Sequence, residues 1–403
     1  MVGLSSALAS PFPHEHKPLI TSSTLSWNDV LQAAVTYSPS YQVMQSRDEQ
    51  AQRYKALGSS WLPGNYRLSG NIYDDSVYDN NGATEMEARI DWDLWNWGGK
   101  AAASDVANRI GAENTRWQAY QRWTLAGQLR QIMADLREGE LAMTQAAQAR
   151  ETAEQLVAIA KQRFEAGDVS RDNVLQAESL LLSLRNAEEQ AHAAFMDAER
   201  NYFFLTGTNQ RPETDLTEIP VEEDELTPAH PMIAWLQSQV DTAGARIQTA
   251  KFSARGRPSV YVGTRRERAG QSESYANALS IGVTVPFGGG SSEAAAVSDA
   301  ARAKSEAQMT FDTAWRDLSQ QLHEVEHQRH VLETTLSNNK QLAGIAGERA
   351  DMAMIAFREG EITMTEAVLA LREAQTLQTD YQMSLAARLR LIALQNQTLG
   401  LLL

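Results

Sequence analysis

Two hydrophobic periodicities alternate along this chain, and both halves show them in the same order. From Glu85 to Leu94 the residues alternate one by one, with Met86, Ala88, Ile90, Trp92 and Leu94 on one side and Glu85, Glu87, Arg89, Asp91 and Asp93 on the other. A period of two is that of a strand, here with one greasy and one charged face. Tyr275 to Phe287 repeats the pattern, setting Tyr275, Leu279, Ile281, Val283, Val285 and Phe287 against small residues such as Ala276, Ala278, Ser280, Gly282 and Thr284. Asn65 to Tyr73 and Ser259 to Arg268, introduced by Pro63 and Pro258, read as their antiparallel partners. Two hairpins, about 65–95 and 259–287, are therefore expected.

The second periodicity is helical. All eleven prolines fall between 11 and 63, between 212 and 258, or at 286, so residues 64–211 and 287–403 have none. Because proline breaks helix interiors, these are the stretches where very long helices can form. Lys100 to Phe164 is rich in Ala, Gln, Glu, Arg and Leu, and 291–358 has the same character. Near the end of each, apolar positions follow a 3,4,3,4 spacing: Ala149, Thr152, Leu156, Ile159 and Arg163, then Leu342, Ile345, Arg349, Met352 and Ala356. This predicts a coiled-coil seam with small and polar members.

The halves also match residue by residue, which marks an internal repeat. Phe164-Glu165-Ala166-Gly167-Asp168-Val169-Ser170 corresponds to Phe357-Arg358-Glu359-Gly360-Glu361-Ile362-Thr363 at an offset of 193, and Gly98-Gly99 to Gly288-Gly289 at 190. The expected plan is a lead-in over 1–24 and a first repeat over 25–207, with a helix at about 27–57, a hairpin, a long helix 100–164 and a helix 171–205. A linker over 208–228 follows, then a second repeat over 229–403, with a helix at about 229–253, a hairpin, a long helix 291–358 and a helix 364–399.

Composition narrows the function. With 51 acids against 36 bases and a net charge of -15, the chain lacks the basic face that nucleic acid requires. The absence of cysteine removes disulfides, thiolate metal sites and cysteine nucleophiles. No run of about 18 apolar residues occurs, so a membrane role would have to use strands. Ala7-Leu8-Ala9 has the form of a signal-peptidase site, without a basic n-region before it.

Strands of about 9 to 11 residues with one apolar and one polar face are the signature of a transmembrane barrel. Trp92, Trp95 and Trp97, where strand meets helix, would form an aromatic girdle against outer-membrane lipid. Four strands cannot close a barrel, so several copies would have to pool them. With Arg163-Phe164 to Gly167 and Phe357-Arg358 to Gly360 at the turns, the duplicated plan resembles the TolC outer-membrane factor family over residues 25–400. The resemblance implies a mostly α fold with membrane β structure: a homotrimer whose four strands per subunit make a 12-stranded barrel, continued by a periplasmic helical barrel. It further implies a passive efflux or secretion duct for metal cations or drugs in the bacterial outer membrane, with no catalytic residues, cofactor or bound metal. A periplasmic adaptor protein would dock at the tips, Gly167, Asp168 and Val169 with Gly360, Glu361 and Ile362, and an inner-membrane pump would act through it. The pore constriction implied is Glu366, with Glu361 and Asp172, where carboxylates crowded by symmetry would raise one another's pKa and favour cations. The basic residue that often stands two positions after the second glycine in that family is Ile362 here.

Other motifs point elsewhere. His323-Glu324-Val325-Glu326-His327 spells the H-E-x-x-H of zinc proteases, but it lies inside an uninterrupted helical stretch with His330 as the nearest third ligand. His14-Glu15-His16 falls in the lead-in, and Gly288-Gly289-Gly290 lacks the Lys-Ser/Thr of a phosphate loop. The competing readings are an adaptor or coiled-coil scaffold and, more remotely, a metalloprotease.

Overall fold

The computed structural model describes residues 17–403 except Asn65, Asp215, Thr217 and residues 222–224. The proposed signal site at Ala7 to Ala9 and the His14–His16 pair lie outside the described residues. In chain order the elements are β1 (Ile20–Ser22), α1 (Trp27–Tyr37), α2 (Ser40–Ser59), β2 (Tyr66–Asp74), β3 (Thr84–Asp93), α3 (Gly99–Glu165) and α4 (Arg171–Thr206). These are followed by β4 (Gln210–Pro212), α5 (Pro231–Ala254), β5 (Ser259–Arg268), β6 (Ala276–Thr284), α6 (Gly290–Glu359) and α7 (Met364–Thr398). The chain is mostly helical, and it divides into two units whose boundaries fall within α2, α3 and α6 and just before α5.

One helix expected at about 27–57 is two. Pro39 separates α1 from α2: the residue before a proline is pushed out of helical geometry, and Ser38 is extended at φ -61°, ψ 139°. Helix α1 begins with a capping box in which Asp29 N–H donates to the Ser26 side chain while Ser26 N–H donates to the Asp29 carboxylate. The pair β1 and β4, three residues each and parallel, was not anticipated. Both strands are shorter than a periodicity can reveal.

Unit 1 comprises the described residues within 17–41, 121–227 and 318–403. One of its cores joins Val30 of α1, Leu129, Met133 and Leu136 of α3, and Ala198 and Tyr202 of α4. Beside it the buried Arg130 binds Glu218, and Trp123 and Gln397 exchange side-chain-to-backbone bonds, which fastens the linker and the end of α7 to α3. In the first repeat Leu156 and Ile159 are buried as the seam predicts. In the second repeat the register is shifted by one at four positions, with Ala343, Ala346, Ala350 and Phe357 buried, and by two at Met354, while Leu342, Ile345 and Met352 are exposed. Small residues allow the closer helix approach, which leaves the larger apolar side chains of α6 on its outer face.

Unit 2 comprises residues 42–120 and 228–317 and holds the sheet. Its helical part packs Val106 and Ile110 of α3 against Ala245 of α5. Its sheet is antiparallel in the order β2-β3-β5-β6. Helix α5 opens with Pro231 at its first position, and the buried His230 accepts the Met232 N–H through Nδ1 at 3.2 Å. Burial lowers the His230 pKa to about 4. A histidine depressed in the folded state takes up a proton on unfolding between pH 4 and its ordinary 6.5. Stability should thus be complete above pH 6.5, fall as the pH drops from 6.5 towards 4, and level off below. His230→Asn keeps an acceptor at this cap and should flatten that slope in denaturant titrations; an unchanged slope would assign it to other groups.

Candidate functional site

Two places concentrate features that packing alone does not require: the paired turns at the end of the helical hairpins, and the sheet. The turns form from the same local chemistry. Helix α3 ends where Gly167 takes φ 83°, with Gly167 N–H donating to Phe164 O and Asp168 N–H to Arg163 O at 3.0 and 2.9 Å. Helix α6 ends identically at Gly360, φ 84°, with Gly360 N–H donating to Phe357 O and Glu361 N–H to Ala356 O. Each is a Schellman closure, which needs the left-handed conformation that glycine adopts without steric cost.

The two turns rest on one core, made by Leu156, Val157 and Ala160 of α3, Val174, Ala177 and Leu180 of α4, Met354 and Phe357 of α6, and Met364 and Ala367 of α7. Ile362 packs against that core, Val169 is half-buried, and Asp168 and Glu361 are exposed. Arg163 ties the turns together. Its guanidinium donates to Phe357 O and lies 5.0 Å over the Phe357 ring. A positive group thereby satisfies a carbonyl at the negative end of α6. The repeat has Ala356 at the position matching Arg163, so the clamp runs one way only. Farther from the turns, a cavity of about 450 Å³ lies between the hairpins, lined by Ala146, Gln148, Ala343, Gly347 and Gln378 among others.

Two of the acidic candidates, Glu366 and Asp172, have side-chain partners within the chain. Glu366 completes a capping box at the start of α7: its Oε2 accepts from Thr363 N–H and Oγ1 at 2.8 Å each, and the Thr363 hydroxyl accepts from Glu366 N–H. The Thr363 backbone and hydroxyl bonds hold the Glu366 carboxyl below the usual range. The T-x-x-E spelling that signals this cap is present in the sequence. Asp172 accepts from Gln176 Nε2 at 2.7 Å, and the Thr365 hydroxyl donates to Gln176 Oε1 at 3.3 Å, which links α4 to α7.

In the sheet, burial is inverted relative to a water-soluble protein. One face carries Tyr66, Leu68, Ile72, Met86, Ile90, Val262, Leu279, Ile281 and Val283, all exposed, with Leu68 at 79% and Ile281 at 71%. The opposite face carries ion pairs: Arg67–Asp93, Arg89–Asp91, and Arg265 with both Glu85 and Glu267. At the helix end of the sheet Trp97 is fully exposed. Trp92 lies edge-on to Tyr66 at 6.3 Å, while Trp95 donates from Nε1 to Ser60 O and stacks under Arg257. Trp61, 88% exposed with Lys100 Nζ over its ring, joins this belt unforeseen, since it lies outside any strand pattern.

His323, Glu324 and His327 lie exposed along α6, with Glu324 accepting from Gln328. Among the described residues no group of three or more His, Asp or Glu is placed to hold a metal.

No family model matches the sequence, and no curated protein does. Solved structures do match. The outer membrane protein VceC of Vibrio cholerae superposes with a TM-score of 0.74 at 15% identity over 93% of this chain and 95% of that one. CusC, studied for its transmembrane channel formation, gives 0.74 at 14% identity over 95% and 93%. The CmeC outer membrane channel of Campylobacter jejuni gives 0.72 at 14% over 99% and 94%. The fold is thus that of the outer-membrane channels, along essentially the whole chain.

Arg163 supplies a test of how the turns are held. Arg163→Ala should cost about 1–3 kcal/mol, the range for a charged hydrogen bond. It should also speed hydrogen exchange around 356–363, with Arg163→Lys intermediate. Unchanged exchange there would show that the core alone fixes the second turn.

Proposed function

We propose that three copies of this chain assemble into an outer-membrane duct, a passive conduit from periplasm to exterior without catalytic chemistry. The observation that carries this reading is the sheet: its apolar face is exposed, its charged face carries ion pairs, and β2 and β6 each have one free edge. Hydrocarbon does not tolerate free backbone donors and acceptors, and barrel closure removes them. Three copies give 12 strands. The apolar face then meets outer-membrane lipid, with Trp61, Trp97 and Trp92 at its border, and the ion-paired face lines the lumen.

In this reading the helices continue the duct into the periplasm and the paired turns are its tip. Gly167, Asp168 and Val169 with Gly360, Glu361 and Ile362 form the surface for a periplasmic adaptor that connects to an inner-membrane pump. Symmetry brings Glu366, Glu361 and Asp172 of three subunits towards the tunnel entrance, where they favour cations, while Glu366 keeps its capping bond. The exposed Leu342, Ile345 and Met352 of α6 support assembly, since they give the helices an apolar outer face.

Mass measurement in detergent is expected to give a trimer, and planar-bilayer recording a cation-preferring conductance that loses preference in Glu366→Gln. A monomer with inserted strands would overturn the reading; a trimer whose selectivity survives the substitution would move the constriction off Glu366. Bulky residues at Gly167 and Gly360 should abolish export while leaving trimer and insertion intact. Export that persists with both replaced would show that adaptor docking lies elsewhere.

A further inference from the structure

The apolar face of the sheet does not end as it begins. Cross-strand register aligns five rows on that face: Tyr66–Trp92–Val260–Val283, Leu68–Ile90–Val262–Ile281, Gly70–Ala88–Thr264–Leu279, Ile72–Met86–Arg266–Asn277 and Asp74–Thr84–Arg268. The helix end is aromatic and aliphatic. The loop end carries two arginines on the side that otherwise presents only uncharged groups and Asp74.

Arg266 and Arg268 both rest on one ring, with their guanidinium carbons 4.2 and 4.9 Å from the centroid of Tyr275. Neither forms an ion pair among the described residues, in contrast to Arg265, the residue just before them in sequence, which faces the other way and holds Glu85 and Glu267. Arg268 donates from Nε to Gly82 O at 3.1 Å, and Arg266 is exposed. Asp74 stands on this face in the same row as Arg268, two strands away, and its Oδ1 accepts the Ser76 N–H; Asp75 and Glu273 border the same surface hollow as Arg268. Two like charges gathered on one aromatic ring repel each other, and an anion bound to both relieves that repulsion.

The depth of these residues identifies the anion. An arginine on the lipid face of a barrel is costly at mid-membrane and tolerated only near an interface, where head groups begin. Four rows of mostly apolar side chains separate Arg268 from the helix end, which places the arginine rows at the outer border of the apolar band. Guanidinium groups bind phosphate oxygens in a fork geometry that ammonium groups lack. We propose that Arg266, Arg268 and Tyr275 form a binding site for the phosphate head group of an anionic lipid at the loop end of the sheet. This rests on the membrane-barrel reading above.

The test is native mass spectrometry of the delipidated full-length protein, titrated with phosphatidic acid, phosphatidylcholine or inorganic phosphate. Phosphatidic acid should bind at least about tenfold more tightly than phosphatidylcholine, about 1.4 kcal/mol, and inorganic phosphate should not compete at equal concentration. The Arg266→Gln/Arg268→Gln double variant should reduce the lipid preference to about twofold or less, Arg266→Lys/Arg268→Lys should keep part of it, and Arg265→Gln, on the opposite face, should keep all of it. Assembly and conductance of the double variant should equal those of the parent. Equal binding of both lipids, a preference that survives the double substitution, or equally tight inorganic phosphate would overturn the proposal while a conducting trimer left the channel reading intact. Failure to insert in any lipid would overturn both.

Discussion

Backbone hydrogen bonding at the two free edges of one small sheet sets the terms for everything else in this protein. Strands β2 and β6 each use one side for pairing, and the other side's N–H and C=O groups have no strand partner among the described residues. In water such edges are satisfied by solvent; in hydrocarbon each bare group costs several kcal/mol. The exposed face of the same sheet is apolar from the Tyr66–Val283 row at its helix end as far as the rows of Arg266 and Arg268, which is where hydrocarbon is energetically preferred to water. The two demands conflict for a single copy and agree for a closed ring of copies. Four strands per chain also explain the duplication, because each repeat contributes one hairpin and β3 pairs with β5 to join them.

The helices answer a different constraint. The buried side of α6 is built from Ala343, Ala346 and Ala350, so packing within the chain draws on small contacts rather than on bulk. That geometry suits a wide array of helices better than a tight two-stranded coil, which prefers larger residues at the seam. At the turns the economy reverses. Phe357 and Met364 are nearly fully buried, and Arg163 closes the end of α6, so the place where the helices reverse is better packed than the seam above it. An export surface at the tips would therefore be presented by a rigid base, with the exposed Asp168 and Glu361 carried on it.

Much of this was legible in the sequence, because both periodicities are strong and the chain states them twice. The alternation from Glu85 to Leu94 gave the facing of β3 before any coordinates, and the glycine match at an offset of 193 located both turns. What escaped did so for physical reasons. Proline at 39 breaks one helix into two through a local backbone clash, which an apolar pattern smooths over. The seam of α6 slipped by one because alanine is buried there while leucine and isoleucine are not, the opposite of what a hydrophobicity pattern assumes. Strands β1 and β4 are held by a parallel pairing across nearly 190 residues of chain, a contact with no local signature. Arg163 was visible as part of a motif, but its target, a carbonyl in the other repeat, is a tertiary fact.

Glu366 shows how one residue can satisfy two readings drawn from the same letters. As the third residue of a T-x-x-E box it is fixed by Thr363, and this bond favours its ionised form. A carboxylate already stabilised by a helix N-terminus is one that symmetry-related copies find harder to neutralise. Crowding three carboxyls pushes their pKa values up, and capping pulls each down. In the proposed trimer the cap would therefore work in favour of a charged ring, because it would offset part of the pKa rise that would otherwise protonate one member. The corresponding residue in the first repeat, Asn173, carries no charge, and there Ser170 makes no side-chain bond to its helix. At the third position of the helix, carboxylate and cap occur together in the second repeat and are both missing from the first, where the acid of the first turn is Asp172 one residue earlier.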